Sequence, residues 1–145
     1  MENGCDINRL FREMLRRHRS AHHKIVEKLG LYYGQPLMLM MLFDNGEMSQ
    51  KELSDRLKNT PASVAVSVKR MEKAGLIIKQ PDPNDLRLNK ISLTDRGCEL
   101  ALECRKNFYH LDSEMVRGFT SEELCMLENF YERMIYNLEN LDNSK

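Results

Sequence analysis

Apolar residues recur at steps of three and four along residues 7–29, where Ile7, Leu10, Phe11, Met14, Ala21, Ile25 and Leu29 mark one face of a long amphipathic helix. Gly30 suits its stop, because the left-handed position after a last turn strains glycine least. Tyr32-Tyr33-Gly34 reads as a short connection, and Pro36 fits the first turn of the next helix, where no amide donor is needed. Residues 37–43 are apolar without a break, the pattern of a buried central helix, and Asp44-Asn45-Gly46 ends it.

Ser49-Gln50-Lys51-Glu52 has the spacing of a capping box. It opens a helix whose Leu53 and Leu57 face inward. Asn59-Thr60-Pro61 turns the chain into another helix, with Val64, Val68 and Met71 as its buried stripe and Gly75 as its stop. Residues 76–79 predict a strand, and residues 88–93 predict its return. Between them, residues 81–85 hold the Pro, Asp and Asn of a tight turn. Thr94 is placed to cap a fifth helix that runs to the neighbourhood of Arg117. A second capping box lies at Thr120-Ser121-Glu122-Glu123. The last helix carries Leu124, Leu127, Tyr131, Met134, Leu138 and Leu141 in a heptad stripe that needs a partner.

These elements define a fold class that is mainly α with a small two-stranded antiparallel wing. Residues 35–97 read as a winged helix-turn-helix DNA-binding domain. Residues 1–34 and 98–145 read as a helical dimerisation region of the same compact chain.

Composition changes this picture little, but charge distribution sharpens it. The 145 residues carry 22 basic and 22 acidic side chains, a balance that by itself argues against nucleic acid. Residues 48–97, however, hold 10 basic and 6 acidic side chains, and residues 98–145 hold 5 basic and 10 acidic. Positive potential is concentrated where the helix-turn-helix lies. No apolar run approaches the ~18 residues of a membrane span, and residues 37–43 lack the flanks of a signal peptide. The expected location is cytoplasmic, with no membrane partner. There is no Gly-rich phosphate loop, Gly-x-Ser-x-Gly or His-Glu-x-x-His, so an enzyme is not expected.

Removing the buried stripe from residues 60–75 leaves an outer face fit for the major groove. Ser63 and Ser67 suit hydrogen bonds to bases or phosphates, and Val66 suits a thymine methyl. Lys69, Arg70 and Lys73 suit phosphates. Arg87 at the hairpin tip suits a narrow minor groove, with Asp85 two residues earlier to hold it. Ser49, Thr60 and Lys90 complete the expected DNA-binding set.

At these residues the chain resembles the MarR family of winged-helix transcriptional regulators. The likeness rests on Leu53 and Leu57, on Arg70-Met71-Glu72-Lys73-Ala74-Gly75-Leu76, and on Asp85-x-Arg87 followed by Leu93-Thr94-Asp95-Arg96-Gly97. The resemblance implies a homodimer, a palindromic double-stranded operator, repression of transcription, and release by a small-molecule effector. It puts the dimer interface on Ile7, Leu10, Phe11, Met14 and the six stripe residues of the last helix, where two-fold pairing would cover both apolar faces. It also implies an effector crevice between the long helices and the winged helix, with Tyr32, Tyr33 and Met38 as candidate lining.

One departure bears on readout. The family often has a polar residue followed by arginine in mid recognition helix, and here those positions are Ala65 and Val66. Base readout is then expected to lean on Ser63, Ser67 and the wing. The same departure leaves open a second reading, a dimeric ligand- or metal-binding sensor with weak or altered DNA binding.

Cofactors and metals are not expected. His18 and His22 lie one helical turn apart and His110 lies on the fifth helix, which makes the three zinc candidates. No carboxylate or thiol completes a set nearby, and packing is the plainer role. Cys5, Cys98, Cys104 and Cys125 form no CxxC pair. Cys5 is expected ahead of the first helix with no basic residue closer than Arg9, so no low thiol pKa and no response to organic peroxide is expected.

Overall fold

The computed structural model of the chain describes residues 3–85 and 87–141, with side chains from Asp6 onward. The elements, in order, are α1 (Asn3–Lys28), α2 (Gln35–Asn45), β1 (Met48–Ser49), α3 (Gln50–Leu57), α4 (Pro61–Lys73), β2 (Ile77–Pro81), β3 (Asn89–Leu93), α5 (Asp95–Met115) and α6 (Ser121–Leu141). The chain divides into two compact units, Met1–Tyr109 and His110–Lys145.

Local chemistry sets the ends of most elements. Ser49 caps α3: its hydroxyl accepts from the Glu52 amide at 3.2 Å, and the Glu52 carboxylate accepts from the Ser49 amide at 2.7 Å. Thr120 and Glu123 repeat that reciprocal pair at the start of α6. Gly75 closes α4 in the left-handed region at φ 70°. The Gly75 amide donates to the Glu72 carbonyl and the Leu76 amide to the Met71 carbonyl, which satisfies two carbonyls the helix end would leave bare. Only α1 departs clearly at its start. It begins at Asn3 rather than near residue 7, with Asp6 favouring the positive end of the helix dipole. The Cys5 backbone is therefore inside the helix, not ahead of it, while its side chain lies outside the described residues.

The wing sheet has three antiparallel strands in the order β1-β3-β2, one more than expected. Met48 pairs with Ile91 and Ser49 with Lys90. The added strand is two residues long, too short to show alternation. It exists because a helix-capping serine must be extended, here at φ −74° and ψ 160°, so cap and strand share one residue. The β2–β3 ladder runs from Ile77–Leu93 to Pro81–Asn89. Proline is tolerated there because β2 is an edge strand.

The core of the first unit gathers Leu39 of α2, Leu53 of α3, Val64, Val68 and Met71 of α4, and Ile77 and Ile91 of the sheet. Ala101 and Cys104 of α5 close it. Burial pushes the Cys104 thiol up to about 11, which keeps it protonated and inert. The helix α2 is less enclosed than its unbroken apolar run predicts. Met38, Leu39 and Leu42 are buried, but Leu37 is 52% exposed and Phe43 37% exposed. An all-apolar run gives no sign of which face a small core will cover.

Among the described side chains of α1 only Val26 is fully buried; Ile7, Leu10 and Phe11 are exposed and Met14 half-buried. In α6 no residue is buried: Leu124, Met134, Leu138 and Leu141 are exposed, with Leu127 and Tyr131 half-buried.

Candidate nucleic-acid interface

The helix α4 presents two faces with different chemistry. Val64, Val68 and Met71 lock it to the core, which leaves Ala62, Ser63, Val66, Lys69, Arg70 and Lys73 outward and Ser67 half-buried. Val66 is 52% exposed, an apolar side chain held out among polar ones. Thr60 begins the helix. Its Oγ1 accepts from the Ser63 amide at 3.2 Å and donates to the Ser63 hydroxyl at 2.9 Å. Thr60 is thus engaged as a cap, while Ser63, acting as acceptor there, keeps its own proton to donate.

The far end of α4 is clamped by the start of α5. The Thr94 hydroxyl donates to the Gly75 carbonyl at 2.7 Å and accepts from the Gly97 amide at 3.1 Å, so one side chain ties the end of α4 to the cap of α5. The Arg96 guanidinium donates to the Ala74 carbonyl at 3.3 Å, where a cation complements the helix C-terminus. The segment from Thr94 to Gly97 therefore fixes the C-terminal end of α4.

The wing tip is built by two aspartates. Asp82 accepts from the Asn84 amide at 2.8 Å, and Asp85 accepts from the Arg87 amide at 3.0 Å. Each carboxylate supports the backbone two residues on, an Asx turn. This corrects one expectation: Asp85 holds the Arg87 backbone rather than its guanidinium. The Arg87 side chain is exposed, and no carboxylate among the described residues pairs with it. Leu86, between them, lies outside the described residues.

Two other expected DNA residues are engaged. The oxygen of Ser49 is committed to its capping box, and Lys90 lies 3.7 Å from the Asp82 carboxylate. The register nevertheless brings Ser49 and Lys90 side by side.

Tyr32, Tyr33 and Met38 do not share one wall. Met38 is 3% exposed and belongs to the core, because it lies on the buried face of α2. The Tyr32 ring lies under the Arg70 guanidinium, 4.6 Å from its carbon. Tyr33, 85% exposed, borders an open groove of about 840 Å³ on α1, with Arg12, Arg16, Arg19, His18 and His22 also lining it. Arg16 and Arg17 together hold the Glu13 carboxyl at about 2, well below its ordinary value, through hydrogen bonds and charge. The arginine steps of four and three at 12, 16 and 19 were the available signal for this groove.

His18 and His22 have ring centres 6.4 Å apart, and His22 stacks on Phe108 of α5 at 4.2 Å. His110 falls in the second unit. Among the described residues no group of three or more His, Cys, Asp or Glu is gathered for a metal. Pattern reasoning also missed the anchors at the end of α2. Arg105 of α5 reaches Asp44 at 2.6 Å and lies over the Phe43 ring, and Arg56 of α3 donates to Asn45 at 2.6 Å.

Residues 31–88 match the model of the MarR family. Among relatives, the uncharacterized HTH-type transcriptional regulator YybA of Bacillus subtilis (strain 168) is 29% identical over 111 residues, 77% of this chain and 74% of that protein. The crystal structure of YusO from Bacillus subtilis superimposes with a TM-score of 0.82 at 21% identity, covering 93% of this chain and 96% of that one. A MarR-family regulator from Listeria monocytogenes, solved in complex with 26mer DNA, gives a TM-score of 0.70 at 22% identity, covering 93% and 95%. Over residues 31–88 the chain is similar to the MarR family, the relatives it matches are named HTH-type transcriptional regulators, and its fold is the winged helix of its solved neighbours. No helix among the described residues is long and apolar enough to cross a membrane.

Proposed function

We propose that this regulator acts in the cytoplasm as a homodimeric repressor of a palindromic operator. Each protomer inserts α4 into the major groove and probes the neighbouring minor groove with Arg87. The observation that carries this reading is the pairing of a small, polar outer face on α4 with an arginine at the wing tip that no acid among the described residues neutralises. The DNA complex of the Listeria monocytogenes relative supports it.

Residues 1–34 and 98–145 supply the dimerisation region in this reading, and residues 35–97 supply DNA binding. The exposed stripes of α1 and α6 favour pairing, since together they leave more apolar surface than a soluble monomer tolerates. Their charges are complementary: α1 holds seven basic and three acidic residues, α6 one basic and five acidic. The groove bordered by Tyr33 is the proposed seat of a small effector whose binding releases DNA.

Selection of bound duplexes from a random pool tests the proposal. An enriched two-fold sequence with half-sites about one turn, ~34 Å, apart is expected. Enrichment of nothing would favour the other reading, a dimeric sensor with weak DNA contact, which Ala65 and Val66 keep in play.

A further inference from the structure

Arg70 stands out among the cations of α4 because its guanidinium carbon lies 4.6 Å from the centre of the Tyr32 ring. Among the described residues no carboxylate or carbonyl accepts from that guanidinium. A cation held over a ring face is engaged through its π surface, which leaves the N–H groups at its rim free to meet a phosphate.

The ring has a fixed root. Leu31, the preceding residue, is buried in the core and its amide donates to the Val26 carbonyl at 3.0 Å. The Tyr32 amide donates to the Gln35 side-chain oxygen at 2.9 Å, and the Gln35 amide donates back to the Tyr32 carbonyl at 3.1 Å. Gln35 is itself 3% exposed. Tyr32 therefore leaves a backbone pinned on both sides, while Arg70 is a long side chain whose rotamer freedom would be lost on meeting DNA.

We propose that Tyr32 is a positioning residue for DNA binding: its ring holds the Arg70 guanidinium in place, so that a phosphate contact forms with less ordering. The role rests on the DNA reading above. It also gives the α1–α2 connection a direct hold on the recognition helix, which no spacing in the chain announces.

Duplex affinity at fixed salt, measured for single and double variants, tests it. Tyr32→Leu is expected to weaken binding about two- to fivefold, the span of an exposed cation–π contact. Tyr32→Phe, which keeps the ring face, should bind like the wild type. In an Arg70→Ala background Tyr32→Leu should cost nothing further, because the two residues act as one unit. In the free wild-type protein the Arg70 Nε–H proton should resonate upfield through the ring current, and should move back in Tyr32→Leu.

Tighter binding by Tyr32→Leu, or an equal loss with and without Arg70, overturns the role. An unshifted resonance alongside intact duplex binding overturns it alone. No duplex binding by the wild type overturns both the role and the DNA reading.

Discussion

Gly97 lies so close to Leu76 that a Cβ at position 97 would stand 2.0 Å from the Leu76 carbonyl oxygen. The obstacle is backbone, so no side-chain rotation relieves it. That approach lets the start of α5 seat against the turn where α4 becomes β2, and the Thr94 and Arg96 hydrogen bonds depend on it. Gly97→Ala should destabilise the protein by about 1–3 kcal/mol, the range of overpacking in a tight core. Urea unfolding measures it, and an unchanged midpoint would show that the clamp has slack.

Asp85 sets the wing by accepting from the Arg87 amide, a job a neutral oxygen also does. Asp85→Asn should therefore keep duplex affinity within about twofold, while Asp85→Ala should lose it about three- to tenfold as the Asx turn is lost. Equal losses in both variants would restore the ion-pair role that the spacing of the two residues suggested.

The cap of α3 has a pH signature. Glu52 is held below the ordinary 4.5 by the hydrogen bond from the Ser49 amide and then by the Ser49 hydroxyl. The folded carboxyl binds its proton more weakly than the unfolded one, so its contribution is complete above pH 4.5 and is lost as pH falls through the folded value. The stability gap between wild type and Glu52→Gln should hold above pH 4.5 and shrink as pH falls below it. Ser49→Ala should cost about 1 kcal/mol at neutral pH. A gap that stays constant with pH would remove Glu52 from the cap.

The α6 stripe is predicted to carry the dimer. Leu138, exposed within its own unit, should tolerate Leu138→Arg without loss of helix content by circular dichroism. Sedimentation at micromolar concentration should show a dimer for the wild type and monomer for the variant. A wild-type monomer would redirect the stripes of α1 and α6 to another use.

How far the chain can be read without coordinates depends on the range of the interaction. Ser49-Glu52, Thr120-Glu123 and Gly75 are signals within one helical turn, and all three act as their spacing predicts. The buried stripe of α4 was equally legible, because Val64, Val68 and Met71 repeat at helical steps. Strand β1 was not, since two residues show no alternation and its partner Ile91 is far along the chain. The Arg105–Asp44 pair spans 61 positions, and nothing local in either residue points to the other. Tyr32 was legible as an aromatic in a connection, but its place under the Arg70 guanidinium follows only from the folded chain, which brings the α1–α2 connection against α4. The expected Asp85–Arg87 ion pair failed because an aspartate two residues before an amide closes a backbone turn more readily than it reaches a long side chain.

The central claim is that α4 and the wing read one duplex together, and the salt dependence of binding by Arg87→Ala tests it most directly. With a duplex enriched from a random pool, wild-type affinity should fall steeply as salt rises. Arg87→Ala should bind at least about tenfold more weakly at each salt concentration, with a shallower slope. Equal affinity and equal slope for the two proteins would contradict the claim.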